Sequence, residues 1–140
     1  INDPRSRIVA YEDETILLRF MAIGADHIFA IHPHGYHMEV VALDGRKLKS
    51  SYEKDTLCIA SGERIDVLVK IPHFASQRKC LSCNLGAGLT IMHDHNLRGM
   101  VSQGKYPMGA LTIFDVRSKD KATKPDAPLI KGKPYNPLEH

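Results

Sequence analysis

The sequence is short of almost everything that would assign a chain to a special class. It has no tryptophan, 6% aromatic residues and three cysteines in 140 residues, and a formal charge of only +3. Lysines and arginines are scattered outside one tail and form no basic stripe with interleaved aromatics, so nucleic acid is excluded as a natural partner. No apolar run approaches the roughly 18–20 residues of a membrane span. Helical periodicity is nearly absent as well. The cysteines include one C-x-x-C, Cys80-Leu81-Ser82-Cys83, whose possible meanings are zinc, redox chemistry or a local disulfide. No second such pair completes the four ligands of a structural zinc site. Cys58, inside an apolar run, reads as a small buried hydrophobe.

What is there is strand. Runs rich in Ile, Val, Leu and Phe at Ile8–Tyr11, Thr15–Ala22, His27–His34, Met38–Ala42, Leu57–Ala60, Ile65–Ile71, Leu89–His93 and Ala110–Val116 are candidate strands. Turn chemistry separates them, including Asp44-Gly45 and Ser61-Gly62. About eight short strands with regular turns predict an all-β sandwich or barrel. Ser51–Asp55 is expected to hold a turn of helix at most, and His73–Gly88 and Arg98–Pro107 to be loops. The chain from Ser118 to Pro137 is charged and proline-bearing, and reads as a tail or interdomain linker. Leu138-Glu139-His140 reads as the start of a purification tag. The expected domain is therefore residues 1–117. With Ile1 in place of methionine, both ends read as cut, which leaves room for a signal or further domains outside the sequence.

Two His-x-His pairs carry the chemistry, His32-Pro33-His34 and His93-Asp94-His95. Residues two apart in an extended chain point to the same side, roughly 7 Å apart. If the two strand ends are neighbours, four imidazoles converge, a ligand set that suits copper, zinc, iron or nickel. Pro33 cannot donate to a ladder and marks a strand edge, bulge or exit. Gly35 permits a sharp turn there. Asp94 turns away from its flanking histidines and is placed to orient a neighbour by accepting a hydrogen bond. His37 reads as a solvated loop residue; His27 and His73 read as surface or hydrogen-bonded core residues. Met100 and Met108 read as packing.

These segments together resemble the multicopper oxidases, laccase-like proteins built from cupredoxin domains. The resemblance runs over most of residues 5–117. It is carried by Ile31-His32-Pro33-His34-Gly35-Tyr36-His37-Met38-Glu39-Val40-Val41, by Asp44-Gly45 with the later Gly62-Glu63-Arg64-Ile65-Asp66-Val67-Leu68-Val69, and by Met92-His93-Asp94-His95 with Gly104–Ile113 after it. It implies a Greek-key cupredoxin-like sandwich. It also implies copper held by His32, His34, His93 and His95, as part of a trinuclear cluster shared with another cupredoxin domain, in the same chain or a second subunit. Dioxygen is the implied electron acceptor, and a periplasmic or extracellular location is implied likewise.

The chain departs from that pattern at the mononuclear blue-copper site. Asp94 stands where a cysteine is needed, Asn96-Leu97-Arg98-Gly99 stands where a further histidine is expected, and Phe29 replaces the histidine before the first pair. The implied role is half of a trinuclear cluster without the electron-entry copper, so the isolated domain is expected to show no oxidase turnover. Two other classes compete: a non-catalytic module that stores or carries copper, and a structural cupredoxin spacer. A cupin is a weaker rival. His32, His34 and Glu39 resemble its first motif, but no second motif follows in frame.

Overall fold

The computed structural model describes residues 6–24, 26–80, 85 and 87–119. Nine strands form among them: β1 (Ile8–Tyr11), β2 (Thr15–Met21), β3 (Phe29–Pro33), β4 (Met38–Leu43), β5 (Arg46–Lys54), β6 (Leu57–Ile59), β7 (Arg64–Lys70), β8 (Leu89–Asp94) and β9 (Leu111–Arg117). They make two sheets, one ordered β1-β9-β8-β3-β6 and the other β2-β7-β4-β5. Only β1 and β9 pair in parallel among these neighbours. The expected all-β, cupredoxin-like sandwich is what the chain forms.

Alternation decides which residues lie between the sheets. In β7, Ile65, Val67 and Val69 are buried while Arg64 and Lys70 are exposed. Met38 and Val40 of β4 do the same from the neighbouring strand. Leu57 and Ile59 of β6 and Phe114 and Val116 of β9 meet them from the other sheet. Each such side chain contributes about 1.5–3 kcal/mol relative to exposure. Tyr36 stacks on Phe114, with ring centroids 4.9 Å apart at 22°. That contact fixes the chain just after the first histidine pair.

Turn residues act where the sequence places them. Asp44 (φ 49°) and Gly45 (φ 78°) close the β4–β5 hairpin with two left-handed residues, as a two-residue turn of the twisted type requires. Within β4 the register shifts between Val40 and Ala42: against β7 the extra residue is Val41, and against β5 the extra residues lie on β5, between Lys47 and Tyr52.

Three expectations are corrected. Arg46–Lys54 is a nine-residue strand, with no turn of helix at Ser51–Asp55. It is the outer strand of its sheet and is exposed along its length except at Leu48, so pairing with β4 creates it and no apolar pattern betrays it. Cys58 is exposed rather than buried. It pairs with Ala30 on an edge strand, between the buried Leu57 and Ile59, and so points outward. Met100 is buried as expected, but Met108 is 60% exposed and packs no core. Of the expected tail, only Ser118 and Lys119 fall within the described residues; the remainder, the expected tag remnant and Cys83 lie outside them.

Candidate metal centre

β3 and β8 are neighbours, and their register sets His32 directly opposite His93. The ladder continues beyond the strand ends. The His34 amide donates to the Ile91 carbonyl (2.8 Å), and the His95 amide donates to the Ala30 carbonyl (2.7 Å). Pro33, with no amide hydrogen, is the last residue of β3, which is the strand exit its chemistry requires. Gly35 follows at φ 83° and turns the chain away.

The two histidine pairs therefore lie side by side on one face. Ring centroids are 5.1 Å apart for His32–His34, 5.0 Å for His34–His93, 5.4 Å for His93–His95, 5.5 Å for His32–His95 and 6.0 Å for His32–His93. The nitrogens are more selective than the rings. Among the described residues, no group of three or more His, Cys, Asp or Glu side chains is arranged to hold one metal ion. The four imidazoles thus cluster without converging three or more to one metal position.

One nitrogen pair does face inward: His34 Nε2 lies 2.9 Å from His93 Nε2. The other ring nitrogens identify the tautomers. His93 Nδ1 is 2.9 Å from the Asp94 carbonyl oxygen, and His32 Nδ1 is 3.0 Å from the Asp55 carbonyl oxygen. A carbonyl oxygen only accepts, so both Nδ1 atoms carry the hydrogen and donate it. Thr56 Oγ1 lies 3.2 Å from the same His32 nitrogen. His34 Nδ1 lies 3.9 Å from Cys80 Sγ. Cys80 is disulfide-bonded, so its sulfur has no hydrogen to give.

His93 thus presents an Nε2 lone pair toward His34 Nε2 across 2.9 Å, and the His34 tautomer decides which atom lies between them. A hydrogen on His34 Nε2 bridges the two nitrogens as a hydrogen bond, and in the other tautomer of His34 a cation fills the same place. With imidazole–metal bonds of about 2.0–2.1 Å, as for zinc, two adjacent corners of a coordination shell span about this distance. The residues fit a metal ion that takes two nitrogens here and its remaining ligands elsewhere. Burial holds the His34 pKa below the ordinary histidine value, and repulsion from His93, His32 and His95 lowers it further. The lone pair is thus kept ready at neutral pH.

A cavity of about 490 Å³ opens beside the rings, lined by His32, His34 and His95 together with Tyr36, Arg78, Lys79, Cys80 and Thr90. The buried Thr90 hydroxyl has no hydrogen-bond partner among the described residues. Arg78 lies 5.9 Å from the centre of the Tyr36 ring. Burial raises the Tyr36 pKa, against the opposing charge of Arg78, so its hydroxyl stays protonated. The cavity wall from Ala75 to Cys80 follows a 3₁₀ turn at Ala75–Gln77. That turn is anchored by Glu12, buried at 5% exposure, whose Oε1 accepts from the Ser76 hydroxyl (2.8 Å) and amide (3.2 Å). Nothing in the local sequence marks Arg78 or Cys80 as neighbours of the histidines, because a loop brings them there, whereas Thr90 comes in on β8 itself.

Asp94 turns away from its flanking histidines as expected, and it is fully buried. Its Oδ2 is 2.6 Å from His27 Nε2, and its Oδ1 accepts from the Ala30 amide (2.8 Å) and the Asn96 amide (3.0 Å). Burial alone would raise this carboxyl. The His27 hydrogen bond, the two amides and the His27 charge outweigh it and hold the pKa below the usual value. His37 is exposed. His73 is a surface residue that faces Asp13 at 3.1 Å.

Comparison with known proteins follows the same segments. The model of the multicopper oxidase family ("Multicopper oxidase") matches residues 6–103. No curated protein matches significantly. Among solved structures, the multicopper oxidase mgLAC is 30% identical with a TM-score of 0.65, over 79% of this chain and 31% of that one. The blue copper oxidase from Nitrosomonas europaea is 31% identical with a TM-score of 0.62, over 81% of this chain and 31% of that one. The laccase from Botrytis aclada, 20% identical with a TM-score of 0.61 over 86% of this chain, supports the fold alone. The chain thus spans less than a third of the length of the first two.

Proposed function

The chain belongs to the multicopper oxidase family, and from that premise we propose that it lends His32, His34, His93 and His95 to a copper cluster completed by another cupredoxin domain. In this reading the cluster reduces dioxygen, and the chain carries no mononuclear blue-copper site of its own. Copper is the cofactor that family membership implies, and when bound it supplies one-electron redox chemistry. The residues of this chain bind and orient. His34 and His93 present Nε2, while the Asp94 and Asp55 carbonyls hold the hydrogens of His93 and His32 on Nδ1. The cavity beside His32, His34 and His95 is the route by which a small molecule would reach the rings.

The observation that carries this reading is the convergence of four imidazoles on one face, with His34 Nε2 2.9 Å from His93 Nε2. A shared cluster also accounts for the incomplete ligand set. A copper-storage module needs a full set within one chain, and among the described residues no group of three ligands exists. For the blue-copper position, the support is chemical: Asp94 supplies no thiolate, and its carboxylate is already committed to His27 and two amides. The relatives' greater length supports a partner domain. Location outside the cytoplasm is supported by the disulfide at Cys80. No helix among the described residues is long and apolar enough to cross a membrane.

The test uses the full-length protein, with copper content and dioxygen uptake measured side by side. Replacing His34 and His93 together by alanine is expected to lower both the bound copper and the uptake, with the fold retained by circular dichroism. Unchanged copper and unchanged uptake in that variant would falsify the assignment.

A further inference from the structure

The His27–Asp94 pair, with its carboxylate fully buried, is a polar cluster beside the histidines that binding copper does not use. Asp94 sits between His93 and His95 in the chain, so its position is theirs. Its carboxylate spans both arms of the site. Oδ2 meets His27, just ahead of β3; Oδ1 meets the Ala30 amide within β3 and the Asn96 amide just beyond β8. Ala30 is held from both sides, since its carbonyl accepts from the His95 amide. Asp94 is also tied to the ligands through its own carbonyl, which takes the His93 Nδ1 hydrogen. One residue thus connects the segment leading to His32 and His34 with the segment bearing His93 and His95.

The surroundings are shaped to keep the carboxylate there. Gly99 passes so close that a Cβ at that position would overlap the Asp94 carboxylate. The loop from Asn96 to Gly99 folds back over it, with the Gly99 amide donating to the Asn96 carbonyl (2.9 Å) and the Ala110 amide donating to the Gly99 carbonyl (2.7 Å). Phe29 closes the other side, its ring meeting His27 edge to face at 4.6 Å. Asp94 occupies the very backbone position at which the family pattern calls for a copper-binding cysteine. A hydrogen-bonded carboxylate and imidazole stand there instead.

We infer that His27 and Asp94 form a metal-free clamp that sets the spacing of the two histidine arms, both acting as positioning residues for the copper ligands. The inference rests on the reading of His34 and His93 as ligands. If the clamp opens, β8 loses its side-chain tie to β3 at Ala30 and His27, and the 2.9 Å approach of His34 to His93 is no longer enforced. Orienting partners of this kind change metal affinity by about 10–100-fold when removed.

The experiment uses the full-length protein with three variants. His27→Leu removes the donor, Gly99→Ala keeps both partners but displaces the carboxylate, and His27→Gln retains an N–H that reaches Asp94. In metal-free protein, nitrogen NMR of the imidazoles is expected to show shifted His34 and His93 signals in His27→Leu and in Gly99→Ala, and wild-type signals in His27→Gln. With copper added, the first two are expected to bind about ten-fold more weakly with an altered cupric spectrum, and the glutamine variant to restore both. Should His27→Leu fail to fold, Gly99→Ala carries the test alone. Wild-type imidazole signals in a folded His27→Leu or Gly99→Ala variant overturn the clamp. Absence of copper binding by the wild type would instead overturn the ligand assignment, since the metal-free signals still report on the clamp.

Discussion

His34 shows how far a single side chain can be prepared by its neighbours. Its pKa is lowered by burial and then by the adjacent rings, so the unfolded chain binds more protons than the folded one below the ordinary histidine value of about 6.5. Stability of the metal-free protein therefore falls as pH drops from about 6.5 through the lowered folded value. Urea titrations across that range are expected to show the loss, with a shallower slope in His34→Gln; an identical slope in the variant would remove this effect from the account. The four histidines were legible in the sequence because strand alternation puts each pair on one side. His27 was not legible as a partner of Asp94, since 67 residues separate them and only the β3–β8 pairing brings them together. Cys58 was misread for a related reason: its apolar neighbours said strand, but not which face of an edge strand it would take.

Among the elements, the clearest lesson is β5. Seven of the eight expected strands lie within one residue of the observed bounds at each end, and the other, β3, starts two residues later than expected. All eight carry a partly or fully buried face or run that sequence alone can register. Arg46–Lys54 has only Leu48 away from full exposure, and its strand character comes from hydrogen bonds to β4, which no local pattern encodes. Its lysines, at 47, 49 and 54, suit an edge that must not pair with another chain. The wall of the cavity depends on a second contact invisible in the sequence, Glu12 with Ser76. The Ser76 hydroxyl, against the cost of burial, and then the Ser76 amide, Ser118 and His73 hold Glu12 below its ordinary pKa. That stabilisation is present above about pH 4.5 and is lost as pH falls through the lowered folded value. Glu12→Gln is expected to flatten the acid limb of stability between those limits, as read by denaturant titration, and an unaltered limb would contradict it. In the core, Phe114 is fully buried and stacked on Tyr36. Phe114→Ala is expected to cost about 3–5 kcal/mol of unfolding free energy, and a loss under 1 kcal/mol would show that this contact does not hold the sandwich together.

At the level of the molecule, the sandwich provides a face of four imidazoles, and among the described residues no group of three or more His, Cys, Asp or Glu is arranged to hold one metal ion. The chain covers 31% of each of two oxidases that are 30% and 31% identical to it, which supports the proposed completion by another domain. The isolated chain is accordingly expected to oxidise a phenolic dye no faster than free copper does, measured by absorbance under air. Turnover by a monomeric chain would mean that the ligand set is complete within it. The most direct test of the central claim is anomalous diffraction at the copper edge from crystals of the copper-loaded full-length protein. A peak within about 2.0–2.1 Å of both His34 Nε2 and His93 Nε2 is the predicted result. Copper bound elsewhere in the protein, with these two rings bare, would contradict it.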